Sequence, residues 1–228
     1  MNANNPYHRG AHLYDANLKL PLISRIRQHE ARVVGELIAH YADAEGRALE
    51  VGPGTGFYTR ALSRAFREVV AVEDSAKMVE ILRGKLSVEG VANVVVHQGD
   101  FRRLAVDGEF DVAVAIGVLD YIADPKAFVD RMCAAARRAV IVTVPQRGLL
   151  GRCFVAGGAI RKTRVYCYGR DEVPGWAPPL DCPSGPDGPS GSGMGARGGT
   201  GWRCTIAEAG RATRLARPLT IVAVFERR

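Results

Sequence analysis

Apolar residues along this chain follow two alternating rhythms. Over 25–41 the apolar positions are Ile26, Val33, Val34, Leu37, Ile38 and Tyr41, a stripe with helical spacing, and Ser24 stands where an N-cap belongs. Short apolar runs then take over. Segments 47–51, 68–72, 93–97, 111–116, 139–144 and 220–225 read as strands. Between them lie amphipathic stretches. In 57–66, Tyr58, Ala61, Leu62, Ala65 and Phe66 face inward; in 75–86, Met78, Val79, Leu82 and Leu86 do so. Asp124 followed by Pro125 predicts the start of another helix, running to about 137 through Phe128, Val129, Met132 and Cys133. Strands apolar on both faces that alternate with helices predict a parallel sheet covered on both sides. The fold class is therefore α/β, a three-layer, Rossmann-like doubly wound sheet.

The rhythm fades after Tyr168, and prolines, glycines and serines crowd the stretch from Pro174 to Gly201. Such text buries too little apolar surface to offset its ordering entropy. The organisation read from the sequence is an N-terminal helical segment (1–45), a core (46–145), a candidate cap (146–173), a Gly/Pro-rich irregular segment (174–204) and C-terminal strands (205–228). A genuine insertion and a locally shifted reading frame both produce text like 174–204, and intact mass distinguishes them.

Composition narrows the function. The apolar share of 47% supports a core, and the net charge of +7 raises the chance of a polyanionic partner. The arginines are scattered and no basic run exceeds a pair, so a nucleic-acid partner is not expected. Cys133, Cys153, Cys167, Cys182 and Cys204 form no C-x-x-C pair, so no metal site is expected. The odd cysteine count and the polar N-terminus point to a reducing, cytoplasmic setting. The longest apolar stretch, 148–160, is broken by Arg152 and too short to span a bilayer.

The informative stretch is Ala-Leu-Glu-Val-Gly-Pro-Gly-Thr-Gly, where the first strand of the core turns into a helix. Gly52 permits backbone angles that a side chain forbids, Gly54 leaves room for a ligand to approach the main chain, and Gly56 lets the helix start close by. Tight strand-to-helix turns also use glycine for packing alone. The dinucleotide fingerprint wants a third glycine where Phe57 stands, and the phosphate-loop ending Gly-Lys-Ser/Thr is absent. Glu73 ends the second strand about twenty residues on, where a carboxylate accepts both hydroxyls of a ribose. Asp74 is its alternative, although Asp74 or Ser75 more naturally caps the next helix. Asp100 follows the third strand and is placed to accept from an exocyclic amine, with Phe101 beside it for a ring face.

Taken together, Glu-Val-Gly-Pro-Gly-Thr-Gly, the acid in Ala-Val-Glu-Asp-Ser, Gly-Asp-Phe, and Phe-Asp-Val-Ala-Val-Ala-Ile-Gly-Val-Leu-Asp-Tyr-Ile-Ala-Asp-Pro resemble, in order and spacing, the motifs of class I S-adenosylmethionine-dependent methyltransferases. The resemblance covers 48–145. It implies a seven-stranded sheet with the last strand antiparallel and S-adenosylmethionine as cofactor. It assigns Glu50, Gly52, Gly54 and Gly56 to the methionine part, Glu73 to the ribose, Asp100 to the adenine amine, and the backbone of Ile116 and Gly117 to the ligand. It places Asp120 and Tyr121 near the reactive end as candidate catalytic residues, though many small-molecule members carry histidine where Asp120 stands.

The first strands also resemble ribosomal RNA adenine dimethyltransferases. Those enzymes place an Asn/Asp-x-Pro-Tyr/Phe motif after the fourth strand, where this chain reads Ala-Ile-Gly-Val-Leu-Asp-Tyr-Ile. The expected acceptor is therefore a small molecule, at oxygen or nitrogen. His12 and Tyr14 are candidate lid residues, and Arg161, Lys162 and Arg164 candidate cap residues; a solvated basic face is the plainer role for the last three. His97 is expected in the core, and His29 and His40 on a helix surface.

Overall fold

The computed structural model describes residues 21–106, 109–148, 164–178, 201–207 and 220–228. His12, Tyr14, Arg161 and Lys162 lie outside them, as does most of the Gly/Pro-rich segment.

The chain runs α1 (Pro21–His40), β1 (Asp43–Val51), α2 (Thr59–Ala65), β2 (Phe66–Glu73), α3 (Ala76–Val88), β3 (Val94–Gln98), β4 (Phe110–Ala115), α4 (Pro125–Ala135), β5 (Ala136–Pro145), β6 (Trp202–Ala207) and β7 (Thr220–Arg227). One seven-stranded sheet has the order β3-β2-β1-β4-β5-β7-β6. Strands β1 to β5 pair in parallel, and β7 runs antiparallel to both β5 and β6. The strand order reverses at β1, which lies between β2 and β4, and a crevice for ligands opens outside the carboxyl ends of strands at such a point.

The alternation of side chains sorts the core onto two faces. Ala48, Val69, Val112, Val114 and Ile141 pack with Val33, Val34 and Ile38 of α1 and Leu62 of α2. Leu49, Val70, Ala113, Ala115 and Val140 pack with Phe128, Val129 and Met132 of α4. Local signals fix where the helices begin. The Asp124 carboxylate accepts from the Ala127 amide at 3.0 Å, with Pro125 in the first turn of α4. The Ser75 hydroxyl accepts from the Met78 amide at 3.5 Å and caps α3, which settles the choice between Asp74 and Ser75.

Three expectations need correction. Helix α1 is already formed at Pro21 rather than starting at Arg25, and Ser24 lies inside it. His97 is exposed rather than buried, because β3 is the edge strand, and Val95 on the same strand is also open to solvent. Ordered structure enters the stretch 174–204 at both of its ends. Val173–Trp176 forms a 3-10 turn with Trp176 buried, and β6 begins at Trp202.

Candidate functional site

β1 delivers the chain to the crevice and the glycine loop carries it away. Gly52, Gly54 and Gly56 all hold positive φ, at 69°, 57° and 91°. A Cβ on Gly52 would meet Val118 Cγ2 at 2.5 Å, and one on Gly56 would meet Leu82 Cδ1 at 2.6 Å. Those two glycines allow the loop to pack against the turn after β4 and against α3. Gly54 differs: a Cβ there would meet no atom within 4 Å. Its bare backbone faces open space, as a close approach by a ligand requires.

Two acids flank the loop. Glu73, at the end of β2, accepts from the Gly54 amide at 3.1 Å and from the Ser75 amide at 2.9 Å. Burial raises its pKa, and these amide bonds oppose the rise. Glu50, on β1, is buried and accepts from the Thr59 hydroxyl at 2.6 Å. Burial pushes its pKa up to about 7, the Thr59 bond opposes this, and the charge of Glu73 adds to it. Asp74 is half-buried beside Glu73.

Asp100 follows β3 as expected, but its carboxylate is engaged by Arg102, at 2.9 Å from Nε and 2.6 Å from Nη2. The Arg102 hydrogen bonds hold its pKa below the usual carboxylate range. Phe101 does not present a ring face to the crevice. The chain turns at Asp100, whose carbonyl accepts from the Arg103 and Leu104 amides, and Phe101 packs edge-on to Phe128 in the core with centroids 5.5 Å apart.

The turn after β4 closes the crevice. Ile116 is half-buried against the α1 and α2 side of the sheet. Gly117 has φ 69°, again with no atom within 4 Å of an added Cβ. Its amide donates to the Thr143 hydroxyl at 2.8 Å, so of its two backbone polar groups the carbonyl is the one left for a ligand. Asp120 and Tyr121 lie half-buried on the 3-10 turn Leu119–Tyr121.

The strap at 164–178 begins in the stretch expected to form a cap, and its ties to the sheet were not anticipated. The Tyr166 amide donates to the Asp120 carbonyl at 2.8 Å, and the Tyr168 hydroxyl to the Ile122 carbonyl at 2.6 Å. Tyr168 is buried against Trp176, and its amide donates to the Pro145 carbonyl at 2.9 Å. The strap thus joins the turn after β4 to the end of β5. Alternating aromatics in Tyr-Cys-Tyr were the available signal.

Residues 49–142 match the family described as methyltransferase domain. A methyltransferase domain thus occupies 49–142, less than half of the chain. Magnesium-protoporphyrin O-methyltransferase of Rhodobacter capsulatus is 37% identical across 79 residues, which is 35% of this chain and 35% of that protein. A mitochondrial ribosomal RNA small subunit methyltransferase of Arabidopsis thaliana is 53% identical across 45 residues, 20% of this chain and 12% of that one. The chain thus spans about a third or less of the length of these relatives. Magnesium protoporphyrin IX methyltransferase from Synechocystis, solved with bound S-adenosylhomocysteine, has a similar fold, with TM-score 0.69, 16% identity, and coverage of 99% of this chain and 97% of that one.

The residues of the methyltransferase domain fit the cofactor class: two bare glycine faces open onto the crevice, with a buried carboxylate at the loop. The two kinds of glycine give a paired prediction. Gly52→Ala places a methyl inside Val118 at positive φ and is expected to destabilise the fold by about 2 kcal/mol or more. Gly54→Ala meets no clash, so its fold is expected to lose only the αL strain of roughly 1–2 kcal/mol, while S-adenosylhomocysteine affinity falls at least tenfold. Urea denaturation and calorimetry separate the two outcomes.

Proposed function

We propose that this protein transfers the methyl group of S-adenosylmethionine to a small-molecule acceptor, at oxygen or nitrogen. The observation that carries the reading is Gly54, a positive-φ glycine with nothing over its Cβ position, tied to the carboxylate of Glu73. When bound, S-adenosylmethionine supplies an electrophilic methyl. The chain's own work is orientation: holding an acceptor in line is worth roughly 7–11 kcal/mol. In this reading Glu73 receives the ribose hydroxyls and Glu50, through Thr59, supports the loop at the methionine part. Asp100 receives the adenine amine after exchanging part of its Arg102 pairing, and Ile116 and Gly117 line the floor. Asp120 accepts a proton if the acceptor must lose one, and Tyr121 serves as acceptor wall.

The turn Ala-Ile-Gly-Val-Leu-Asp-Tyr-Ile supports a small molecule over a nucleobase amine, since it lacks the proline and adjacent aromatic that grip a flat amine. The O-methyl chemistry named for the Rhodobacter relative favours oxygen. No helix among the described residues is long and apolar enough to cross a membrane. Cys133 and Cys204 are free thiols, which fits a reducing cytoplasm.

The test is methyl transfer from labelled S-adenosylmethionine into a panel of small carboxylates, phenols and amines, run beside total RNA. Label in the small-molecule fraction is expected. Label in RNA, with steep salt dependence, replaces this acceptor class with nucleic acid. Binding of S-adenosylhomocysteine without turnover on any acceptor leaves a binding module instead.

A further inference from the structure

We infer that Thr143 is a positioning residue for the cofactor site: its buried hydroxyl fixes the Gly117 turn in the shape that receives the ligand. The inference rests on the S-adenosylmethionine reading above.

Thr143 is the one hydroxyl in the run Ala-Val-Ile-Val-Thr-Val of β5, and it is 1% exposed. Its neighbours Val142 and Val144 are fully buried, as a central strand demands. Valine has the same shape and suits the position at least as well for packing alone. A hydroxyl moved out of water there is unfavourable unless it is partnered. The partner is the Gly117 amide at 2.8 Å, from the turn after the neighbouring strand β4.

That bond lies where the chain leaves regular pairing. The β4–β5 ladder ends at Ala115 opposite Val142, so beyond it no strand partner directs the turn. Gly117 then takes φ 69°, with no atom within 4 Å of an added Cβ. A glycine with open space around it is free to adopt other backbone angles. The hydroxyl of Thr143 is what selects this one. It acts through Gly117, and the same turn continues into Val118, against which Gly52 of the glycine loop packs. Both walls of the crevice therefore meet at the turn Thr143 holds.

Gly117 is half-buried, so an amide released by Thr143 turns to water rather than remaining an orphan inside the protein. Loss of the hydroxyl therefore spares the fold and spreads the turn over several conformations. Apparent affinity then falls by the fraction of molecules still in the receptive shape.

The experiment is calorimetric titration of S-adenosylhomocysteine into the full chain and into Thr143→Val and Thr143→Ser, with thermal melting of the unliganded proteins alongside. Thr143→Val is expected to bind about tenfold more weakly, with a melting temperature within a few degrees of wild type. Thr143→Ser restores the hydroxyl and is expected within about threefold of wild type. Equal affinity in wild type and Thr143→Val overturns the inference, and so does equal weakening in Thr143→Ser. If Thr143→Val fails to fold, the serine variant together with Thr143→Cys decides: serine near wild type with cysteine weakened supports the role, and both weakened alike overturns it. A wild-type chain that binds no S-adenosylhomocysteine sinks the cofactor reading itself, a result separate from either of these.

Discussion

Replacing Glu73 by alanine is expected to abolish stabilisation by S-adenosylhomocysteine. Ligand at about a hundred times its dissociation constant stabilises the wild-type fold by roughly 2.7 kcal/mol. The variant is expected to retain almost none of this, because its affinity falls at least a hundredfold. Both carboxylate oxygens of Glu73 are already in use, one on the Gly54 amide and one on the Ser75 amide. Each oxygen has a second lone pair, so the group can hold the loop and receive ribose hydroxyls together. Hydrogen bonds to a charged acceptor contribute about 1.5–3 kcal/mol each, and the alanine variant loses them along with the loop tie. It also leaves the buried Ser75 donor without its carboxylate, costing about 1–3 kcal/mol of stability. Glu73→Gln separates the two effects. It keeps the volume and one acceptor oxygen, so the fold is expected to persist while affinity still drops at least tenfold. An undiminished thermal shift in both variants puts the ribose elsewhere.

Much of the scaffold was readable because its signals are local. The Asp124–Pro125 start of α4, the cap ahead of α3, and the apolar runs of β1, β2, β4 and β5 depend on neighbours a few residues away. The positions of Gly52, Gly54 and Glu73 were readable too, since strand ends and turns announce themselves in composition. What failed depended on distant partners. His97 sits on a strand whose apolar run looks like any other, and only the strand order makes it an edge. β6 is an alternating, half-buried strand in a weakly apolar stretch, and pairing with β7 is what orders it. Phe101 follows an acid in the expected motif, but the turn at Asp100 sends it into the core against Phe128. Arg102, two residues on in the sequence, was not anticipated as the partner of Asp100, although its spacing allowed it. The strap at 164–178 is held by bonds to residues 119–122 and 145–147, which no local pattern reveals.

Ionisation of Glu50 is expected to make stability and ligand affinity move in opposite directions with pH. Its carboxyl is buried, with a pKa pushed up to about 7 by burial and by the charge of Glu73, against the opposing Thr59 bond. In the unfolded chain a glutamate titrates near ~4.3. Below that value both states hold the proton and the stabilising contribution is complete. As pH rises toward 7 the unfolded chain gives up its proton while the folded one keeps it, so the folded state binds more protons and stability falls. Above the folded value the contribution is gone, a loss on the order of 3 kcal/mol. Glu50→Gln has no such proton, and its oxygen can still accept from Thr59. Urea unfolding at several pH values is therefore expected to show the variant gaining on wild type by up to about 3 kcal/mol between acid and alkaline conditions. A constant gap means that Glu50 does not titrate in this range. Affinity runs the other way. A cationic ligand favours the ionised carboxyl, so S-adenosylmethionine is expected to bind wild type more tightly as pH rises through 7, with a proton released on binding. The buffer dependence of the binding heat reads that proton directly, and Glu50→Gln is expected to release none from this site. The loop thus keeps a carboxyl whose charge the fold resists and the ligand favours, which is why a buried acid is tolerated beneath the glycine turn.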